Sequence, residues 1–276
     1  MKTKNEPKFK KDEILFHNKH SSAYDAVHRL DSLREKYVCG DFLKWLSKLN
    51  NDALVLEIGG GTGHTAIQVA ERGYHIVTSD ISPDMLRVSR EKFQRQGLTN
   101  FVDFAVVDGE KLPFVKEYFD CVMIVAAFHH LLNPRKCLSE IHRCLKPGGY
   151  LIIGVEPNYN YRRWIHTLGS LKRAIISERL LRRKPPSYSG ASPADEISTG
   201  FKKRELLSLL SESGFTVVES HNLLYLLAIN DFISSIIGIN LPAFMERAFM
   251  HADELIRRIP LIKEASRELS VLCQKR

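Results

Sequence analysis

Val55-Leu-Glu-Ile-Gly-Gly-Gly-Thr-Gly63 is the stretch whose reading decides the fold. The apolar run over 53–58 reads as a buried strand, broken by a single acid, Glu57. It opens into Gly59, Gly60, Gly61 and Gly63, and His64-Thr-Ala-Ile-Gln-Val-Ala70 then places apolar residues at helical spacing. The pattern is strand, glycine turn, helix. Glycine suits such a turn because the chain must reverse sharply and its backbone must approach a ligand without a Cβ in the way. Two ligand classes use it. Gly61-Thr-Gly63-His-Thr-Ala66 matches the G-x-G-x-x-G/A form of dinucleotide sites. Glu57 argues for the other class: a carboxylate two residues before the first glycine faces a cation, directly or through water, and would repel a pyrophosphate.

Downstream, acids recur at strand ends. Tyr74-His-Ile-Val-Thr-Ser-Asp80 reads as a second strand closed by Asp80, and Ser82-Pro83 caps and opens the next helix, which runs to Gly97. Residues 101–107 form a third strand ending in Asp108-Gly109-Glu110, and 119–125 a fourth, followed by Ala126-Ala-Phe-His-His-Leu131. Asn133-Pro134 opens a helix that Lys146-Pro-Gly-Gly149 stops, and 150–155 is strand five. Ligands of an open α/β sheet bind off the carboxyl ends of its strands, where these acids stand.

The form Glu57-x-Gly59-x-Gly61-x-Gly63, with Asp80-Ile-Ser-Pro-Asp-Met-Leu86, Asp108-Gly-Glu-Lys-Leu-Pro-Phe114 and Leu145-Lys-Pro-Gly-Gly-Tyr150, resembles the class I S-adenosylmethionine (SAM)-dependent methyltransferases. The likeness is to their small-molecule branch, which includes ubiquinone/menaquinone-type enzymes. It covers 53–155 well. It implies an α/β fold: a Rossmann-like, seven-stranded, mostly parallel sheet with the last strand antiparallel, plus helical cap insertions on the cofactor face. It implies SAM as cofactor, with Glu57, Gly59, Gly61 and Gly63 in the cradle and Asp80 holding the ribose. Ile81 would pack on adenine, Asp108 and Gly109 would meet its amino edge, and Ala126 would lie near the methyl. An N-terminal helix often crosses the cofactor in this family, which makes Tyr24, and less so His20, contacts. His129 and His130 follow strand four and Glu156 follows strand five; these are the candidates for removing a proton from a hydroxyl acceptor.

The resemblance divides the chain into a helical segment 1–52 covering the cofactor, a core 53–155, a basic insertion 156–200, the remainder of the core 201–221, an apolar helical insertion 222–267 and a last strand 268–276, with 223–229 the competing choice for that strand. Residues 1–20 read as Lys-rich and frayed at the start, with helices over 12–33 and 34–49. Strands five and six share a direction, so both insertions leave on the cofactor side and read as a cap for the acceptor. Within 161–184, Arg and Lys interleave with apolar residues, which suits an anionic membrane surface, phosphates on a substrate or an RNA backbone. Residues 223–229 and 232–241 fit buried core, an acceptor tunnel or a surface dipping into a bilayer.

The net charge of +8 in 276 residues favours anionic partners without choosing among them. Cys39, Cys121, Cys137, Cys144 and Cys273 show no C-x-x-C spacing, so no zinc site and no other metal is expected, and buried thiols fit a reducing compartment. No apolar h-region opens the chain, and the cytoplasm is the expected location, with peripheral membrane association through 161–184. The expected activity is methyl transfer from SAM to oxygen or carbon of a small hydrophobic or anionic, lipid-like or isoprenoid acceptor. Ala126-Ala-Phe-His stands where amino-methylating nucleic-acid enzymes carry (D/N)-P-P-(Y/F/W), so nucleic acid is the less favoured acceptor. RNA methylation and a non-catalytic SAM-fold subunit are the alternatives.

Overall fold

The computed structural model describes residues 6–28, 32–163, 192–229, 242–259 and 266–276. Most of the basic run 161–184 and all of the apolar run 232–241 lie outside them. Three N-terminal helices, α1 (Glu6–His20), α2 (Tyr24–His28) and α3 (Leu33–Leu43), precede the sheet. The sheet begins with β1 (Leu54–Ile58), α4 (His64–Ala70), β2 (His75–Asp80), α5 (Pro83–Gln96), β3 (Val102–Val106) and β4 (Phe119–Val125). It continues through α6 (Pro134–Cys144), β5 (Leu145–Pro157), α7 (Pro193–Ile197), α8 (Lys203–Glu212), β6 (Phe215–Leu223), α9 (Ala243–Ile256) and β7 (Glu268–Lys275).

The strand order is β3-β2-β1-β4-β5-β7-β6. Strands β1 to β5 pair in parallel, and β7 runs antiparallel to both β5 and β6. The order reverses between β1 and β4, which opens a crevice at their carboxyl ends. Period-two alternation sorts the core into two layers. Leu56, Val122, Ile124, Leu151 and Ile153 face α6 and α8, while Val55, Cys121, Met123 and Ile152 face α3, α4 and α5. A sheet covered on both faces needs apolar residues in both registers, which is why its central strands read as unbroken apolar runs. All five cysteines are buried thiols.

The N-terminus differs from its sequence reading. Glu6–His20 is one helix, the chain breaks before Tyr24, and the helix expected over 34–49 ends at Leu43 and tightens into a 3-10 turn, Lys44–Lys48. Helix α1 carries polar residues around most of its circumference, so apolar periodicity could not mark it. Contacts with the sheet edge hold it instead: Ser82 Oγ donates to Asn18 Oδ1 (2.6 Å), and Lys10 Nζ reaches Asp108 Oδ2 (2.7 Å) and Glu110 Oε2 (3.0 Å).

The last strand is β7, and the competing segment 223–229 is core: Leu223, Leu224, Leu227 and Ala228 are buried with Val38, against Phe249 and Met250. Helix α9 seals that cluster, and Asp253 accepts the Tyr225 and Leu226 amides (3.1 and 2.7 Å). A buried charge cluster ties three elements together. Asp41 on α3, its side chain 1% exposed, accepts from His221 Nδ1 on β6 (2.5 Å) and from Arg257 just after α9 (3.0 Å). Burial alone would raise the Asp41 carboxyl, but the hydrogen bonds from His221 and Arg257 hold it below its usual range. Burial likewise opposes a charged His221, yet Asp41 raises its pKa. Asp41→Asn should therefore cost about 3 kcal/mol near neutral pH, because it leaves two cations without their buried partner. Urea denaturation across pH checks the sign. The gap between native chain and variant should be widest below the ordinary histidine pKa of about 6.5, shrink as pH rises through the raised His221 value, and shrink again in acid as Asp41 protonates.

Candidate functional site

A cleft lies at the carboxyl edge of β1, β2 and β4, roofed by α1 and α2. Its walls include Gly59, Gly61, Asp80, Ile81, Asp108, Gly109, Ala126, Tyr24 and His130, all named from sequence, together with Phe9, Lys10, Glu13 and His17. The remaining candidates stand behind the wall. Gly63 takes φ +81° as the residue before α4, and a Cβ there would lie 2.1 Å from Ser89 Oγ. His20 turns away, its Nδ1 2.7 Å from Phe16 O.

The glycine turn is built for close approach from one side only. A Cβ at Gly59 would fall 2.6 Å from Ala127 Cβ, and one at Gly60 only 2.2 Å from Thr78 Oγ1 and 2.4 Å from Glu57 Oε2. At Gly61, with φ +54°, a Cβ would meet nothing within 4 Å. That open space is where a ligand can lie against bare backbone. Asp80 sets the turn's position: Oδ2 accepts Gly61 N–H (2.9 Å) and Oδ1 accepts Ser82 N–H (2.8 Å). Desolvation at this buried strand end raises its pKa, opposed by those two amides. Each oxygen keeps a lone pair for a ligand hydroxyl. Asp108 is held similarly, Oδ1 accepting Glu110 N–H (2.9 Å).

Glu57 does not face the cleft. It is 1% exposed, under the turn, accepting from Thr78 Oγ1 (2.7 Å), and burial pushes its carboxyl up to about 7. The expectation that it meets a cation directly is corrected to support of the turn from beneath, because the close packing at Gly60 leaves it no path outward.

The histidine pair divides. His129 is enclosed: Nδ1 donates to Glu156 Oε2 (2.9 Å), Nε2 stands 3.5 Å from Asp195 Oδ1, and its side chain is 9% exposed. Desolvation opposes its charge, but Glu156 and Asp195 outweigh it and raise the imidazole to about 9. An imidazole already protonated at neutral pH is no general base. Glu156 is no base either. It is fully buried, and its oxygens accept the amides of Ala127 (3.1 Å), Phe128 (2.9 Å) and His129 (3.0 Å) besides the ring. It is a positioning residue for the loop after β4. A bulge delivers it there: β5 uses three steps from Ile153 to Glu156 where β7 uses two, and Val155 sits at φ +60°, strained for a β-branched side chain. Ala126 is also left-handed, at φ +52°, where it walls the cleft.

His130 does face the cleft, and the structure adds two partners that sequence reading missed. Glu13 Oε2 lies 3.3 Å from both His130 Nδ1 and His17 Nε2. Glu13 Oε1 accepts Ala194 N–H (2.6 Å), so the described end of the first insertion reaches the site. None of the described residues of the second insertion lines the cleft; its packing on α3 explains why. The one available signal was the spacing Glu13-x-x-x-His17, which puts both side chains on one helix face.

Comparison with known proteins gives the family. A methyltransferase-domain family matches residues 56–153. A ubiquinone/menaquinone biosynthesis C-methyltransferase from Methylococcus capsulatus is 32% identical over 207 residues, 73% of this chain and 82% of the relative. The corresponding protein of Pseudomonas aeruginosa is 30% identical over 222 residues, 78% of this chain and 85% of the relative. Among solved structures, a SAM-dependent methyltransferase from Methanosarcina mazei superposes with a TM-score of 0.54 at 20% identity, over 82% of this chain and 94% of that one, a likeness of fold.

Titration of the His129 ring by NMR tests the enclosure. The native chain should show a pKa near 9, and Glu156→Gln should return it toward the ordinary value of about 6.5. The same variant should lower stability by about 2–4 kcal/mol, since three amides lose a charged acceptor.

Proposed function

Because this chain belongs to the class I SAM-dependent methyltransferases related to the ubiquinone/menaquinone C-methyltransferases, we propose that its acceptor is a hydrophobic phenol or hydroquinone methylated at a ring carbon. The observation that carries this reading is the 32% identity to a C-methyltransferase over 82% of that relative's length. The cleft supports it: beyond the Asp80 end, Phe9, Leu131 and Leu132 offer apolar walls to a ring.

The donor end is assigned as follows. Asp80 accepts from the ribose hydroxyls, Ile81 packs on the adenine, and Asp108 with Gly109 meets the adenine edge. Gly61 lets the ligand lie on bare backbone, Gly59 lets the turn pack closely on Ala127 at the cleft wall, and Gly63 and Glu57 shape the turn from behind. Ala126 and Tyr24 close the donor from two sides. SAM supplies the methyl group on a sulfonium, an activated carbon that needs no acid from the protein. The protein's task is to hold the ring carbon in line with it and keep water out.

A phenol ring carbon becomes a competent nucleophile when its hydroxyl is ionised. That duty falls to the group formed by Glu13, His17 and His130, which lines the cleft next to Ala126 and Ala127. His130 orients the hydroxyl, with Glu13 fixing the ring at 3.3 Å. His129 and Glu156 act one step removed, by holding the backbone from which His130 projects. Helix α1 excludes water. Among the described residues no helix is long and apolar enough to cross a membrane.

Two measurements test the reading. Transfer of labelled methyl from SAM to a short-chain prenylated hydroquinone should yield a carbon-bound methyl. Label appearing on oxygen, or only in RNA, would sink it. Asp80→Ala should weaken SAM binding by about tenfold or more, the loss of charge-assisted hydrogen bonds. His130→Ala should lower kcat by about 100-fold while calorimetric SAM affinity stays within about threefold.

A further inference from the structure

Three ligating side chains converge on the acceptor side of the cleft from two separate parts of the chain. Glu13 and His17 lie one turn apart on α1, and His130 comes from the short turn Phe128–His130 after β4. His17 Nε2 and His130 Nδ1 each stand 3.3 Å from the same oxygen, Glu13 Oε2, and all three candidate ligand atoms fall within 4.8 Å of one another. Donors bound at about 2.1 Å to one divalent ion lie roughly 3.0–3.4 Å apart at octahedral to tetrahedral angles. The two nitrogen–oxygen spacings of 3.3 Å lie within that range.

The surroundings fit as well. Glu13 Oε1 is taken by the Ala194 amide at 2.6 Å, so the carboxylate is turned to present Oε2. Behind His130, Asp195 Oδ1 stands 3.9 Å from Nε2, beyond direct hydrogen-bond reach, and adds a negative charge beside the cluster. All three side chains line the cleft, so positions not filled by protein would open toward the acceptor. A hydrogen-bonded ion-pair cluster is the competing account. Both accounts use His17 Nε2 and leave Nδ1 buried with no hydrogen-bond partner among the described residues, so metal titration decides between them.

We propose that Glu13, His17 and His130 bind one divalent first-row transition ion of the zinc or iron(II) class, whose open positions take the ionised oxygen of the acceptor. Two imidazoles and a carboxylate with vacant positions are the donor set such ions use when they act on a ligand. On binding, the acceptor's O–H bond breaks, an oxygen–metal bond forms, and the proton leaves to water. This rests on the phenol or hydroquinone reading above, deepening how the hydroxyl is ionised.

The test uses the full chain dialysed against a chelator and titrated with Zn²⁺ by calorimetry and with Co²⁺ by visible absorption. One ion should bind per chain, and His17→Ala and His130→Ala should each weaken it about tenfold or more. His17→Gln, with thermal melts of every variant, guards against loss of fold, and SAM titration of the metal-free chain should give its usual affinity. No saturable binding, or equal binding by native chain and folded His17 variants, overturns the proposal. Methyl transfer to the prenylated hydroquinone is followed on metal-free and reloaded samples. Transfer indifferent to the metal overturns the metal's role and leaves the acceptor reading standing. Specific metal binding without any transfer overturns the acceptor reading and leaves the site.

Discussion

A carboxylate removed from water must find donors in the protein, and at the carboxyl edge of this sheet the donors are the loops themselves. Asp80 takes the amides of Gly61 and Ser82, joining the turn after β1 to the start of α5. Glu110 takes the amide of Asn133 (2.8 Å) and the Lys10 ammonium, joining the loop after β3 to the start of α6 and to α1. Glu156 takes three successive amides after β4. Each acid belongs to one strand end and holds a neighbouring loop. The cleft's rim is therefore one connected frame, and a SAM-dependent methyltransferase needs such a frame because its catalysis is largely placement.

The same frame explains where backbone strain is tolerated. Ala126 and Val155 hold left-handed conformations that cost each of them about 1–2 kcal/mol. They are adjacent: Ala126 N–H donates to Gly154 O (2.8 Å), one residue before Val155. The strained pair turns β4's exit into the cleft and points Glu156 at the loop that exit creates. Strain and buried charge offset one another locally, as expected where surrounding contacts over-determine a conformation.

What was legible in the sequence was what is local in the chain. The glycine turn, Asp80 and Asp108 are recognisable because their roles follow from position after a strand, and the sheet follows from runs of apolar residues. The roles of Glu57, His129 and Glu156 were misjudged because burial direction at a strand end depends on neighbours far along the chain. A bulge in β5, specified by its pairing with β7 over a hundred residues on, decides which way Glu156 points. The true bounds of helix α1 were illegible for another reason. Its sequence has no apolar stripe, since it covers a polar cleft rather than a core, and what fixes it are Lys10, Glu13 and Asn18, each bonded to a residue distant in sequence.

On the proposed reading, that roof helix also explains how one chain can bind a charged donor and a hydrophobic acceptor in one crevice. The donor end is lined by acids at strand ends, a field that favours a sulfonium over any phosphate-bearing cofactor. The acceptor end is bounded by Phe9, Leu131 and Leu132, with Glu13, His17 and His130 between. Removing α1 would leave the donor contacts of the sheet edge and take away Phe9, Glu13 and His17 together. The proposed acceptor contacts thus come mainly from a segment outside the strand-and-turn motifs. On that reading the sheet edge serves the donor, while the roof helix and the first insertion, which meet at Glu13 and Ala194, are where selectivity for the acceptor would reside.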